Sequence, residues 1–149
     1  MRGLFAGFWL LLASSAVADY DSPVGTWKTI DDKTGRPKAI VQITEQSGEL
    51  TGKVVQVLES SEGPHPLCRL CEGDRKDQPV EGMTVLWNVK KTGDSWGDGE
   101  ILDPENGKIY RVRLTPLADG QKLDVRGYIG VSVIGRSQIW ERQKQESVR

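Results

Sequence analysis

The sequence KAIVQITE, at Lys38–Glu45, has apolar side chains at positions 39, 41 and 43 and polar ones at 38, 42 and 44. A period of two is typical of a β-strand with one buried and one exposed face. The turn residues Gln46–Glu49 follow, and Leu50–Leu58 is a second β-prone segment. The stretch therefore predicts a β-hairpin.

Similar short segments lie on both sides of this hairpin, mostly separated by turns of hairpin length. The turn at Asp103–Gly107 is an example, because proline sets φ and Asn-Gly accepts a positive φ. Eight to nine strands at this spacing predict an all-β antiparallel meander. Closure into a barrel removes its free edges, and an open sandwich is the alternative. The further predicted strands are Thr26–Ile30, Met83–Lys91, Trp96–Leu102, Lys108–Thr115, Gln121–Arg126, Tyr128–Ile134 and Ser137–Glu141.

Residues 1–18 have the pattern of a secretory signal peptide. Arg2 precedes an uncharged apolar run that is too short to span a bilayer, and Ala16-Val17-Ala18 fits signal peptidase cleavage after Ala18. The next residue is Asp19, not the cysteine that a lipid anchor requires. We therefore expect a periplasmic or secreted protein whose mature part, residues 19–149, forms one β-barrel domain.

The charge balance excludes some classes of partner. The chain has 20 Lys and Arg residues against 21 Asp and Glu residues. A chain so nearly neutral creates no field that attracts nucleic acid or an acidic membrane surface. We expect neither partner.

Gly25-Thr26-Trp27, at the start of the first strand, resembles the Gly-x-Trp signature of lipocalin-like barrels. In that superfamily a basic residue near the end of the last strand lies over the Trp ring. Arg142 occupies the corresponding place in this sequence. The resemblance implies a cation–π contact between Arg142 and Trp27.

Longer segments make the resemblance more specific. Together they cover nearly all of the mature chain, and they resemble an exported bacterial family of unknown function, family 2147, with a lipocalin-like fold. The resemblance implies a single lipocalin-like barrel but no biochemical activity, because the family has no agreed one. The matching segments are residues 25–29, 52–54, 68–73, 99–110, 123–130 and 135–140.

Cys68 and Cys71 lie in a long irregular stretch, residues 59–82. A loop of this length is either functional or held by a cross-link. In an oxidising compartment a local disulfide is favoured, although a redox-active pair, or a zinc site formed with His65 and Asp74, stays open. No helical context supports the redox role.

No catalytic constellation is evident. His65 is the only histidine, and no Gly-x-Ser-x-Gly nucleophile motif accompanies it. The acidic residues between Asp98 and Glu105 are expected to serve solvation and a turn. We therefore predict no enzymatic activity, no cofactor and no metal.

The aromatic residues are the better guide to function. Trp27 and Trp140 are expected to pack the closed end of a barrel. Four further aromatics and one arginine are candidate ligand-binding residues, with core filling as the alternative role for the aromatics. The candidates are Trp87, Trp96, Tyr110, Tyr128 and Arg126.

Four arginines, at positions 111, 113, 126 and 136, are expected to face outward. An inward arginine would instead favour a ligand with a carboxylate or phosphate.

The preferred functional hypothesis is non-catalytic binding or carriage of a small, partly apolar, lipid-like or amphipathic molecule. The alternative is an envelope interaction protein with a packed barrel, acting through residues 59–82. A redox protein or enzyme using Cys68 and Cys71 is a third, weaker hypothesis. A binder requires a cavity of roughly 300 Å³ or more that reaches solvent. An interaction protein requires a filled interior and an exposed apolar patch.

Overall fold

A computed structural model of the chain describes Gly3, residues 21–131 and residues 134–144. The predicted signal peptide, apart from Gly3, lies outside the described residues. The described chain forms eight antiparallel strands that close into a barrel. The strands are β1 (Gly25–Ile30), β2 (Pro37–Gln46), β3 (Glu49–Val57), β4 (Thr84–Thr92), β5 (Ser95–Asp103), β6 (Lys108–Leu117), β7 (Lys122–Tyr128) and β8 (Gly135–Arg142).

Each strand pairs with the next one in sequence, and β8 pairs with β1. This order confirms the barrel over the open sandwich. The closing ladder is short, since it pairs Trp27 with Arg142 and Lys28 with Glu141. Within the described residues, no helix is both long enough and apolar enough to cross a bilayer.

One predicted strand is wrong. Tyr128 ends β7, and residues 129–131 and 134 belong to the connection to β8, while 132 and 133 lie outside the described residues. Gly130 has a φ of 77°, and the N–H of Ile134 donates to the carbonyl of Val131. A turn forms here because glycine accepts the left-handed backbone at no steric cost. Apolar composition alone had suggested a strand.

Large side chains fill one half of the barrel, which we call the closed half. This is the half in which β1 begins and β8 ends. Trp27 and Leu114 are fully buried there. They pack in one continuous core, and this burial is the main source of stability. The other large core residues of the closed half are Ile43, Leu50, Val89, Trp96 and Leu123.

Arg142 seals the closed half. Its guanidinium carbon lies 4.3 Å from the centroid of the Trp27 ring, which confirms the predicted cation–π contact. The same guanidinium donates to the carbonyl oxygens of Gly120 at 2.5 Å, Val24 at 2.8 Å and Ser22 at 3.1 Å. One side chain therefore ties β8 to the segment before β1 and to the β6–β7 turn.

The glycine of the Gly-x-Trp signature makes room for this contact. Gly25 has a φ of 142°, and a Cβ at this position would overlap the guanidinium of Arg142. The indole N–H of Trp27 donates to the carbonyl of Pro23 at 2.7 Å. Glycine, tryptophan and arginine thus form one unit at the closed end.

We expect Arg142→Lys to lower the free energy of unfolding by about 2 kcal/mol. Lysine keeps the charge but cannot donate in three directions while stacking on an indole ring. Urea denaturation measures the effect. Arg113→Lys on the exposed barrel surface is the control, and it should change stability by less than about 0.5 kcal/mol. Equal effects of the two substitutions would contradict a sealing role for Arg142.

Candidate functional site

A cavity of about 840 Å³ extends from the other half of the barrel, which we call the open half, to the loops at its mouth. Its wall is made by inward side chains of several strands, among them Val54, Ile101, Tyr110 and Val125. Among the lining residues of β8, Trp140 lies furthest from the opening and forms the floor. The volume lies within the range of small-molecule sites.

The cavity exists because some of the inward side chains in the open half are small. Ala39 on β2 and Gly127 on β7 line the cavity. Further along the same two strands, in the closed half, the inward residues are the larger Ile43 and Leu123. A Cβ at Gly127 would lie 3.5 Å from the Cβ of Tyr110, so the missing side chain leaves space beside the tyrosine. An eight-stranded barrel is just wide enough for side chains to fill, and small ones leave it hollow.

The predicted ligand-binding residues fall in different places. Tyr110 lies on the cavity wall, where the side-chain amide of Asn106 donates to its hydroxyl at 3.0 Å, and Tyr128 borders the cavity at the end of β7. Trp96 is buried opposite Leu114 in the closed half.

Trp87 and Arg126 are not among the cavity-lining residues. Trp87 stacks on the guanidinium of Arg75 at 4.6 Å, and Arg126 donates to the hydroxyl of Ser137. A ligand-binding role of the five predicted residues stays a prediction.

Arg136 was expected to face outward, but it faces the cavity. It is the cross-strand partner of Gly127 and lines the cavity near the opening. Its Nε donates to a carboxylate oxygen of Asp32 at 3.0 Å. A signal for this placement exists in the sequence, since positions 136 and 142 are six residues apart and therefore share a strand face.

The connection between β3 and β4, which contains residues 59–82, lies over part of the cavity opening. Cys68 and Cys71 form a disulfide with a Cα–Cα distance of 5.3 Å, as predicted. Both cysteines are buried, and a β-bridge joins Leu67 to Pro79. The long loop is therefore held by a covalent and a backbone cross-link.

Part of the rim of the opening is apolar and exposed. Leu70 in the long loop and Ile129 and Ile134 in the β7–β8 connection all line the cavity, yet they are 63%, 65% and 68% exposed. The cavity therefore reaches solvent between these two segments. An exposed apolar cluster of this kind marks a binding groove or an interaction site.

Glu81 fastens the end of the long loop to β3. The backbone N–H of Val57 donates to its carboxylate at 3.0 Å and lowers the pKa of Glu81 below its usual value, against the opposing effect of desolvation. His65 Nδ1 lies 3.4 Å from the same carboxylate and lowers that pKa further. Ionised Glu81 therefore stabilises the folded loop.

We expect stability to fall in acid more steeply in the wild type than in Glu81→Gln. A carboxyl with a lowered folded-state pKa contributes stability that is fully present above its unfolded pKa, near 4.5. That contribution disappears as pH falls through the lower folded-state pKa. Urea unfolding over a pH series measures it, with exposed Glu45→Gln as the control. Parallel pH curves for wild type and Glu81→Gln would contradict the role of Glu81.

The β5–β6 turn supports the disulfide segment. Gly107 has a φ of 73°, as predicted for the Asn-Gly pair, and a Cβ there would overlap the carbonyl of Leu70. The sulfur of Cys68 lies 3.6 Å from the carbonyl oxygen of Pro104. The long loop therefore rests directly on this turn.

We expect Gly107→Ala to destabilise the fold by about 3 kcal/mol, through left-handed strain and overlap with the loop. The matched control is Gly35→Ala. Gly35 has a φ of 71° and open space around the position of a Cβ, so strain alone should cost about 1 kcal/mol. Chemical denaturation of both variants gives the difference. Equal losses would show that the loop does not rest on Gly107.

In the part of the chain that the structure describes, no group of three or more His, Cys, Asp or Glu side chains is gathered closely enough to hold a metal ion. Asp103 accepts from the N–H of Glu105 at 2.9 Å, which is the turn role expected of it. A carboxylate oxygen of Asp98 lies 4.0 Å from a guanidinium nitrogen of Arg111.

A closed eight-stranded meander, sealed by an arginine–tryptophan contact and hollow at the other end, defines a lipocalin-like barrel. A solved structure supports this class. Protein HP1028 from Helicobacter pylori, described as belonging to the lipocalin family, is similar over 85% of this chain and 86% of its own, with a TM-score of 0.73. At 18% sequence identity the likeness concerns the fold.

The chain belongs to the family described as "Uncharacterized protein conserved in bacteria (DUF2147)", whose model matches residues 25–142. This match confirms the resemblance noted from the sequence. No curated protein matches the chain.

Proposed function

We propose that this protein binds a small, partly apolar molecule in the open half of its barrel, without catalysis. One observation carries the proposal, namely the cavity of about 840 Å³ that opens between exposed apolar side chains. Ligand sites combine such a mainly apolar wall with a few polar groups. Here the polar groups include Thr29, Gln138 and Tyr110.

Binding draws on burial of the ligand's apolar surface. Each buried CH₂ contributes about 0.8 kcal/mol, so burial of a ten-carbon tail on the apolar wall contributes about 8 kcal/mol, from which the cost of association is subtracted. Trp140 at the floor offers a flat aromatic surface to the buried end of the ligand. Its indole N–H donates to Gln138 at 3.1 Å, which satisfies that polar group without a ligand.

We expect Ala39→Phe to weaken binding of a neutral fluorescent probe, N-phenyl-1-naphthylamine, by about tenfold or more, because the phenyl ring occupies cavity volume. Gln42→Phe adds the same ring to the exposed face of the same strand and is the control. Fluorescence titration measures both affinities, and near-ultraviolet circular dichroism checks the fold. Unchanged probe affinity in a folded Ala39→Phe variant would overturn the proposal.

The protein carries out this role outside the cytoplasm, after export and cleavage behind Ala18. The signal-peptide pattern supports this location, and so does the Cys68–Cys71 disulfide, since such bonds persist in oxidising compartments. Fractionation of a bacterial host that expresses the full chain, followed by amino-terminal sequencing, should give Asp19 as the first residue. Recovery of the uncleaved chain from the cytoplasm would contradict export.

Interaction with another envelope protein through residues 59–82 is the second candidate function. The exposed Leu70 supports it, because an exposed apolar side chain in a cross-linked loop is a suitable contact for a partner. A photo-reactive residue at position 70 distinguishes the two roles. A specific protein adduct that survives Ala39→Phe would favour interaction, and its absence would favour ligand binding alone.

A further inference from the structure

Arg136 places a positive charge on the wall of an otherwise mainly apolar cavity. Strand β8 points alternate residues inward, and Gln138 and Trp140 share the inward face with Arg136. Arg136 is the member of this series nearest the opening. Its side chain is 55% exposed, so an incoming molecule can reach it from solvent.

The guanidinium keeps hydrogen-bonding capacity beyond its present contact. Asp32 engages it through Nε at 3.0 Å, and the Asp32 side chain is the less exposed partner of the pair. A guanidinium has five N–H donors and binds carboxylates and phosphates in a planar, two-pronged geometry. A second anion can therefore join Asp32 or replace it.

Two other cations line the opening, and each has a shorter ion pair than the one between Arg136 and Asp32. Lys38 lies 2.8 Å from Glu105, and Arg69 lies 2.8 Å from Glu62. Both cations therefore have short ion pairs with rim carboxylates, and neither occupies an inward position of β8. Three further acidic groups that line the cavity are also engaged. Glu59 pairs with Arg36, Asp31 accepts from the N–H groups of Lys33 and Thr34, and Asp103 accepts from the N–H of Glu105.

We infer that Arg136 selects a ligand with an anionic head group, a carboxylate or a phosphate ester, joined to an apolar tail. The inference rests on the proposed ligand-binding function and names its chemical class. The tail enters first and lies toward Trp140, while the head group stays at the opening beside Arg136. In the empty barrel Asp32 holds Arg136 and competes with the ligand for it.

The test compares ligands that share a ten-carbon tail and differ in the head group. Decanoate, decyl phosphate and decan-1-ol are titrated into the purified protein by isothermal calorimetry at neutral pH and low salt. The variants are Arg136→Gln, which removes the cation, and Asp32→Asn, which removes its competitor. Arg113→Gln, on the exposed surface, is the control.

We expect wild type to bind decanoate roughly fivefold or more tightly than decan-1-ol, because a charge-assisted hydrogen bond at a half-exposed site has about that strength. Arg136→Gln should remove this preference, because it weakens the binding of decanoate and decyl phosphate more than the binding of decan-1-ol. Asp32→Asn should increase the preference. Whether carboxylate or phosphate binds more tightly identifies the head group.

Equal binding of decanoate and decan-1-ol by wild type would overturn the anionic class while supporting the apolar cavity. A preference that persists in Arg136→Gln would overturn the role of Arg136. Absence of binding by all three ligands would contradict both the proposed function and this inference. The two failures are therefore distinguishable.

Discussion

The contact between Arg142 and Trp27 is the constraint on which the barrel depends. The β1–β8 ladder that closes the sheet is short, so backbone pairing alone contributes little at this seam. Arg142 compensates by stacking on the indole and by donating to three carbonyl oxygens on two separate segments. Gly25 must lack a side chain for the guanidinium to reach its place.

Sealing one end in this way allows the other end to remain hollow. Large buried side chains concentrate around Trp27, and side chains as small as Ala39 and Gly127 line the wall further along. The core therefore stabilises the fold without filling the whole barrel. The loop held by the Cys68–Cys71 disulfide covers part of the opening.

Much of this architecture was predictable from the sequence because it rests on local patterns. Alternation in Lys38–Glu45 predicts a half-buried strand, and the Asn-Gly pair before Lys108 predicts the left-handed turn that Gly107 makes. The Gly-x-Trp resemblance extended this to a contact between the first and last strands. The resemblance predicted this contact correctly because the Gly-x-Trp signature describes residues that pack together across the barrel. Strand propensity describes only one segment at a time.

The site was harder to predict, because it depends on which face of each strand points inward. Tyr110 falls on the cavity wall, whereas Trp87 stacks on Arg75, a contact made by a loop that carries no periodic pattern. Arg136 was expected to face outward, and the predicted last strand, Ser137–Glu141, begins one residue after it, whereas β8 begins at Gly135. Residues two apart on a strand share a face, so Arg136 lies on the same face as Arg142, which the resemblance places over Trp27. The inward position of Arg136 was therefore predictable. The cavity volume was not, since it follows from closure of all eight strands.

Native mass spectrometry of the protein, purified gently from its own host, tests the central claim most directly. We predict a mass above that of the polypeptide alone, with a small amphipathic molecule released on denaturation. A bare chain, lighter only by the two hydrogens lost in the Cys68–Cys71 disulfide, would contradict it. The barrel would then be an empty scaffold for the loop above it.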